Sequence, residues 1–373
     1  MNAPVIGAEA GYAGPGTWST SFSWRYQESD RHFSGHHEEW HRQAEGSEVI
    51  NQIHIAELGV TRTFTDRFSI SLGIPYFLAQ RSQALRDPSL PDNQFGNDPV
   101  VQRTETHAQG LGDITVIPRW WVFDPPKHPD YNLALGLGVK LPTGDSNVQD
   151  TRQVRVNDPN TTMEPFQVEN VVQTVDQSIQ PGDGGFGIIA DLQGFMRFGS
   201  RFAGYLTGTY LSNPENKNGV ATFRGGGGAL VDGAPGSEAI MSVADQYLGR
   251  IGGTWFATDR LGFSLGARWE GVPVHDVIGD SDGFRRPGYA FSIEPGVSYT
   301  RGAHTFSLAV PYALHRNRHK SVPDLEVPPR HGDAAFADYV IIAGYFRRLG
   351  RGTDGPVSAP APDAVSRPGG GTP

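Results

Sequence analysis

Cysteine and long hydrophobic runs are both absent from the 373-residue sequence. The first absence excludes disulfides and thiolate metal sites. No run reaches the roughly 18 apolar residues that a transmembrane helix needs, so no such helix is expected. A net charge of -9 argues against nucleic acid as a partner, because phosphate binding requires an excess of positive charge. If the chain crosses a membrane, it must therefore close a β-barrel.

Alternation of apolar and polar residues with a period of two is the main positive signal. Between Trp18 and Tyr26 the even positions are mostly aromatic, whereas the odd positions hold serine or arginine. This pattern is typical of a strand with one apolar and one polar face. With 48 Gly and a mean hydropathy of -0.39, a helical bundle is disfavoured. Twelve segments are predicted as strands: 18–26, 50–64, 68–76, 114–122, 131–141, 186–196, 202–210, 247–255, 261–269, 289–299, 304–314 and 339–345.

The connections between these segments alternate strictly between short and long. The short ones are 65–67, 124–130, 199–201, 258–260 and 301–303, and the long ones are 29–49, 79–110, 142–182, 212–243, 271–287 and 315–337. Aromatic residues flank the short turns and recur at the opposite strand ends, as they do at the two membrane interfaces. The pattern predicts an all-β fold, a transmembrane antiparallel up-and-down β-barrel of about 12 strands in the bacterial outer membrane, with short periplasmic turns and long extracellular loops. A soluble sandwich or propeller would also alternate, but it would not explain the loop lengths.

Three regions follow from this assignment. Residues 1–16 are predicted as an N-terminal periplasmic or plug segment, 17–349 as the barrel, and 350–373 as a disordered Pro/Gly-rich tail. The first residues lack the basic start and apolar core of a signal peptide, so either a signal was removed or the start was assigned too late. About twelve strands leave a narrow pore, which 142–182 or 1–16 is expected to narrow further.

Charged residues on the polar faces of the strands are the candidate site. A charge facing lipid at mid-depth costs about 2–4 kcal/mol, so these side chains are expected to line the lumen. They form either an ion-paired framework that holds the barrel in shape or a selectivity path for a solute. The candidate lumen-lining residues are Arg25, Asp113, Arg119, Lys140, Asp191, Arg197, Arg250, Arg268, Glu270 and Glu294.

Two histidine-containing segments lie in predicted loops. His37 and His41 belong to an H-E-x-x-H pattern, which on a helix holds zinc. Glu45, Glu48 and Glu57 are candidates for a third ligand, but the sequence singles out none of them, and a solvated loop is the favoured interpretation. We therefore predict no catalytic residue, no cofactor and no enzyme activity. The basic segment 315–320 either meets lipopolysaccharide phosphates or is simply solvated.

Three glycine-rich segments carry a family resemblance. They are Gly110-Leu-Gly-Asp113, opening a strand that runs to Trp121; Gly136-Leu-Gly-Val-Lys-Leu-Pro-Thr-Gly-Asp145; and Pro181-Gly-Asp-Gly-Gly-Phe-Gly187. In these the chain resembles the proteobacterial barrel family labelled "MetA-pathway of phenol degradation", whose members are described as outer-membrane transporters. The resemblance implies passage of small, aromatic compounds.

Together these features predict a passive outer-membrane transporter or channel for small, hydrophobic or aromatic compounds. Its expected partners are the lipid bilayer, lipopolysaccharide and a small-molecule solute. The alternative is a structural or surface-interaction barrel that acts through its long extracellular loops. Solute flux that depends on lumen residues would favour the first function, and sensitivity to loop deletions alone would favour the second. Nothing in the sequence sets the oligomeric state.

Overall fold

The computed structural model describes residues 13–155, 167–222 and 236–349. The predicted tail 350–373 lies outside these ranges, as do residues 1–12 of the predicted N-terminal segment. The strands are β1 (Trp18–Ser34), β2 (His37–Glu38), β3 (Ile50–Thr63), β4 (Phe68–Arg86), β5 (Val100–Leu111), β6 (Ile114–Trp121), β7 (Tyr131–Leu141), β8 (Gln149–Arg155), β9 (Val168–Thr174), β10 (Gly187–Phe198), β11 (Phe202–Ser212), β12 (Lys217–Ala221), β13 (Ile240–Ser242), β14 (Gln246–Phe256), β15 (Leu261–Val272), β16 (Gly288–Arg301), β17 (His304–Ala309), β18 (Tyr312–Arg318) and β19 (Ala334–Leu349).

Strands β1, β3–β7, β10, β11 and β14–β19 close into one antiparallel barrel. Within the barrel the strands are arranged in their order along the chain, and β19 pairs with β1 to complete the circle. Two staves of the barrel are built from two strands each: β5 and β6 both pair with β4, and β17 and β18 both pair with β16. The barrel therefore has twelve staves, β1, β3, β4, β5–β6, β7, β10, β11, β14, β15, β16, β17–β18 and β19. The predicted fold class and all twelve predicted strands are confirmed.

The outer surface is apolar because alternation turns the aromatic positions outward. Exposed side chains form one belt near the short turns, including Trp18, Phe64, Trp120, Tyr131, Phe198, Phe202, Trp255, Phe263, Tyr299 and Phe306. A second belt lies near the long loops, including Tyr76, Trp269, Phe291, Tyr312 and Tyr339. Aromatic rings favour the two interfaces of a bilayer, so this surface is built to contact lipid.

A Thr-Asp-Arg sequence closes two of the short turns in the same way. The hydroxyl of Thr65 accepts the backbone N–H groups of Arg67 and Phe68, and Thr258 does the same for Arg260 and Leu261. These bonds satisfy backbone donors that the ladder leaves unpaired at the turn. At these two turns, the shortness of the connection therefore has a local cause in the sequence.

Several strands run beyond their predicted ends into the expected loops. β4 continues to Arg86 and β5 begins at Val100, so the predicted 79–110 loop shrinks to 87–99. β1 continues to Ser34 and β19 begins at Ala334. Above the apolar band both faces of a strand are polar, so the alternation that marks a lipid-facing strand is lost there.

The long loops contain small elements of their own. Among the described residues they hold two short helices, α1 (His41–Glu45) and α2 (Val322–Glu326), and 3-10 turns at Gln177–Ile179 and Gly236–Ala239, while a further 3-10 turn, Pro125–Lys127, lies in the short connection 124–130. Strands β8 and β9 form a hairpin, and β12 pairs with β13. Among the described residues, no helix has the length and apolar character to span a membrane.

Candidate functional site in the barrel interior

The barrel contains a cavity of about 580 Å³ that is lined by both charged and apolar side chains. Its charged lining residues include Arg25, Asp113, Lys140, Asp191 and Glu270. Its small or apolar lining residues include Ala290, Pro311, Ala313, Ala334, Ala337 and Val340. A cavity of this size holds a small organic molecule.

Five of the predicted residues join in one continuous ion-pair network. Arg25 approaches Glu270 at 3.6 Å, and Arg268 donates to Glu270 at 2.7 Å. Arg268 also lies 3.5 Å from Glu294, which pairs in turn with Arg250. The side chains come from β1, β14, β15 and β16, so the network ties four strands together across the lumen. Buried charges of this kind are stable only when paired.

A second pair lies on the other side of the lumen. Arg119 of β6 donates to Asp191 of β10 at 2.5 Å and to the hydroxyl of Ser71 at 2.8 Å. The other carboxylate oxygen of Asp191 accepts from Thr209 at 3.4 Å. Arg197, also on β10, lies nearer the short-turn end and forms no ion pair with any residue of the described ranges. Among the candidate lumen-lining residues, Arg197 is the one that the described structure does not bring into a cluster.

The three glycine-rich segments meet in one corner of the barrel. Lys140 pairs with Asp183 and lies 3.5 Å from Asp113. The carboxylate of Asp113 accepts the backbone N–H groups of Gly144 and Asp183. A Cβ added to Gly182 would lie 2.4 Å from the carbonyl oxygen of Gly144. Segments about 70 positions apart in sequence thus converge where the loop 142–186 leaves and re-enters the barrel wall.

Part of the loop 142–186 folds into the mouth of the barrel. Its Gln177–Ile179 turn brings Val175 and Ile179 against a buried cluster containing Ile53, Ile55, Ala79 and Ala108. This agrees with the expectation that 142–182 narrows the pore. Residues 1–12, part of the other expected constriction, lie outside the described residues.

Asp176 anchors this turn. Its carboxylate accepts two bonds from Arg286, at 2.8 and 2.9 Å, and lies 3.4 Å from Arg81. Burial alone would raise the pKa of Asp176, but the charges of Arg286 and Arg81 hold it well below its usual range. Sequence reasoning missed all three residues. They lie outside the alternating segments, where no periodic pattern indicates which way a side chain points.

On the side of β19, the cavity reaches a gap in the barrel. β18 pairs with β19 only at Tyr312 and Tyr339. Seven consecutive residues, 334–340, line the cavity. Because neighbouring residues in a strand point to opposite faces, the cavity is in contact with both faces of β19 here. It therefore extends to the free edge of this strand. Arg316 spans this gap, donating to the Ala337 carbonyl at 3.1 Å and to Asp338 at 2.5 Å.

The histidines of the H-E-x-x-H pattern do not share a helix. His37 lies in β2 and His41 begins α1, while the intervening Glu38 pairs with Arg31 at 2.5 Å. Nearby His32 is bonded to Asp333 at 2.6 Å. Within the described ranges, no group of three or more potential metal-binding side chains occurs. The helical geometry that this motif requires is therefore not formed.

The basic segment 315–320 is largely engaged within the protein. Arg316 is bonded to Asp338, and Arg318 is buried beside Asp324 at 3.2 Å. His315 stacks on Tyr289 with ring centroids 5.7 Å apart. Few of its charged side chains are therefore left to bind a lipopolysaccharide phosphate.

Comparisons with known proteins support the fold. No protein-family model and no curated protein matches the chain. An outer membrane channel from Pseudomonas putida F1 has 10% sequence identity and a TM-score of 0.55, with 92% of this chain and 100% of that one covered. CymD, a monoaromatic hydrocarbon channel, has 8% identity and a TM-score of 0.45, with 90% of this chain and 89% of that one covered. The toluene transporter TodX from P. putida has 8% identity and a TM-score of 0.42, with 91% of each chain covered.

At these identities the likeness shows the fold alone, and the two lower scores carry no argument. The chain has the fold of an outer-membrane β-barrel.

Proposed function

We propose that this protein is a passive channel of the bacterial outer membrane for small, hydrophobic or aromatic compounds. The observation that carries the proposal is the cavity in the barrel interior, which is lined by both charged and apolar side chains. A solute with an apolar ring and a polar group can contact both kinds of side chain at once. Passive flow needs no bond-making step, so no residue is assigned a catalytic role.

The charged side chains have two roles in this proposal. Paired, buried charges give the lumen a fixed shape, and the charged side chains that line the cavity contact the polar group of a solute. The first role falls to Arg119, Arg250, Arg268 and Glu294, because they are paired with other charged side chains and do not line the cavity. The second role falls to Arg25, Asp113, Lys140, Asp191 and Glu270, which line the cavity itself.

The resemblance of the three glycine-rich segments to the MetA-pathway barrels supports the same function. In this chain the three segments form the corner from which the mouth loop departs. We propose that they fix that loop and so set the width of the opening. Lipopolysaccharide remains a proposed partner, through those parts of the outer loops that are not engaged in internal ion pairs.

Uptake of N-phenylnaphthylamine by intact Gram-negative cells tests the function. This apolar dye fluoresces when it enters membrane and is excluded by an intact lipopolysaccharide leaflet. Cells that produce the protein are expected to take up the dye faster than cells without it. Ala313→Trp, which fills the cavity, should remove the increase, because Ala313 points into the lumen opposite Ser292.

Ala343→Trp is the matched control. Ala343 lies on the lipid-facing side of β19, across from Trp24, so the added ring does not reach the cavity. A folded Ala313→Trp barrel with wild-type uptake would overturn the proposal.

The surface-interaction function remains the second candidate. Its support is the length of the outer loops and the β8–β9 hairpin that extends from one of them. It predicts that deletion of residues 149–174 abolishes binding at the cell surface, while uptake of N-phenylnaphthylamine is unchanged.

A further inference from the structure

A row of basic side chains crosses the outside of the barrel near the short turns. Arg301 pairs with His304 across the β16–β17 hairpin, and His304 pairs with Arg347 of β19. Cross-strand partners point to the same side of a sheet, so the three side chains share one face. Neighbouring strands are about 4.8 Å apart, which places the α-carbons of Arg301 and Arg347 roughly 10 Å from each other.

This face is the lipid-facing one. Tyr299, Phe306 and Tyr345 lie two positions further along the same three strands and form the next row on the outside of the barrel. The rings of Phe306 and Tyr345 are 5.2 Å apart. Aromatic rings take the interfacial level of a bilayer. The basic row lies one step further from the membrane centre, at the level of the lipid phosphates.

The positive charge of the row is not neutralised by its surroundings. The segments 17–22, 299–306 and 344–349 contain no aspartate or glutamate. Arg301 and Arg347 are exposed, and neither forms an ion pair with another described residue. Nearby Arg62 lies over the Trp18 ring at 4.8 Å, adding a further cation at this rim.

The basic row occupies one sector at one end of the barrel. Other short turns carry carboxylates, at Asp66, Asp130 and Asp259, and the opposite end of β1 carries Glu28 and Asp30. The asymmetry favours a ligand in the leaflet next to the short turns. In the orientation assigned to the barrel, that leaflet is the periplasmic one, which consists of phospholipid.

We propose that Arg301, His304 and Arg347 bind the phosphate of an anionic phospholipid in the periplasmic leaflet. The two guanidinium groups flank the phosphodiester and donate to its oxygens, a geometry that arginine favours. The imidazole of His304 is bonded to the Tyr345 hydroxyl at 2.8 Å, which holds the ring between the two arginines. The acyl chains then lie along Tyr299, Phe306 and Tyr345.

Native mass spectrometry of the full-length barrel in detergent tests this site. With phosphatidylglycerol and phosphatidylcholine added in equal amounts, the wild-type protein is expected to retain phosphatidylglycerol preferentially. Arg301→Gln combined with Arg347→Gln should lower that preference roughly ten-fold, since each cation near an anionic surface contributes appreciably to binding. Arg301→Lys with Arg347→Lys keeps the charge and should keep most of the preference.

The matched control removes two exposed cations from other turns, through Lys127→Gln and Arg260→Gln, and should leave lipid retention unchanged. The proposal is overturned if the double glutamine variant retains phosphatidylglycerol as the wild type does. It is also overturned if the wild type retains both phospholipids equally, or if added lipopolysaccharide displaces the bound phospholipid. None of these results bears on solute passage, so the proposed function stands or falls separately.

Discussion

At the scale of single residues, individual close contacts hold the interior of the barrel together. Gly182 is an example, because its backbone lies against Gly144 so closely that a side chain would overlap the neighbouring carbonyl. The sequence places both glycines in the long connection 142–182. It did not predict the partner, because nothing in a sequence shows which two backbones approach.

Gly182→Ala is therefore expected to destabilise the barrel by about 1–3 kcal/mol, the usual cost of forcing extra volume into a packed site. Gly249→Ala is the control, since a Cβ at Gly249 meets nothing within 4 Å and its backbone is extended. The measurement is the free energy of unfolding in lipid vesicles by denaturant titration. Equal stability of the two variants would show that the contact between Gly144 and Gly182 is not needed.

At the scale of elements, the strands follow from alternation and the mouth loop does not. A strand between lipid and a wet lumen has to present apolar and polar faces in turn, so β7 and β15 can be predicted from their residues alone. The loop 142–186 has no such constraint. Its Gln177–Ile179 turn is held by Asp176, whose partners Arg81 and Arg286 come from distant parts of the chain.

Asp176→Asn should release this turn from the mouth of the barrel. Removing one partner of a buried ion pair costs about 3–5 kcal/mol, because the remaining charges are left uncompensated. Liposomes containing the variant are expected to swell several-fold faster in a small sugar than liposomes containing the wild type. Asp150→Asn, on the exposed β8–β9 hairpin, is the control. Swelling that is equal in all three proteins would contradict a constricting role for the turn.

The same anchor, Asp176, sets the pH dependence of the pore constriction. Because the folded-state pKa of Asp176 lies below its unfolded value, its contribution to stability is present at neutral pH and is lost only as the pH falls below about 4. Wild-type swelling should therefore be constant between neutral pH and about pH 5.

At the scale of the whole molecule, the barrel is predictable and its interior only partly so. Lipid contact fixes which face of each strand is apolar, and that constraint acts on every stave. It also directs Lys140 and Glu294 away from lipid, as the sequence predicted. Their partners, and the gap between β18 and β19, depend on how the closed barrel brings distant strands together.

Orientation in the membrane is testable because the chain has no cysteine of its own. Asp92→Cys, in an exposed long loop, should react with a membrane-impermeant maleimide on intact cells. Asp259→Cys, in an exposed short turn, should react only after the outer membrane is permeabilised. Labelling in the opposite order would place the short turns outside.

Single-channel recording in planar bilayers with benzyl alcohol on one side tests the central claim most directly. If the cavity in the barrel interior lies on the solute path, the wild-type barrel conducts in discrete steps, and benzyl alcohol interrupts them at a rate proportional to its concentration. Those interruptions should be lost in Ala313→Trp. A folded wild-type barrel that passes no current, or one whose current benzyl alcohol leaves unchanged, would contradict the account.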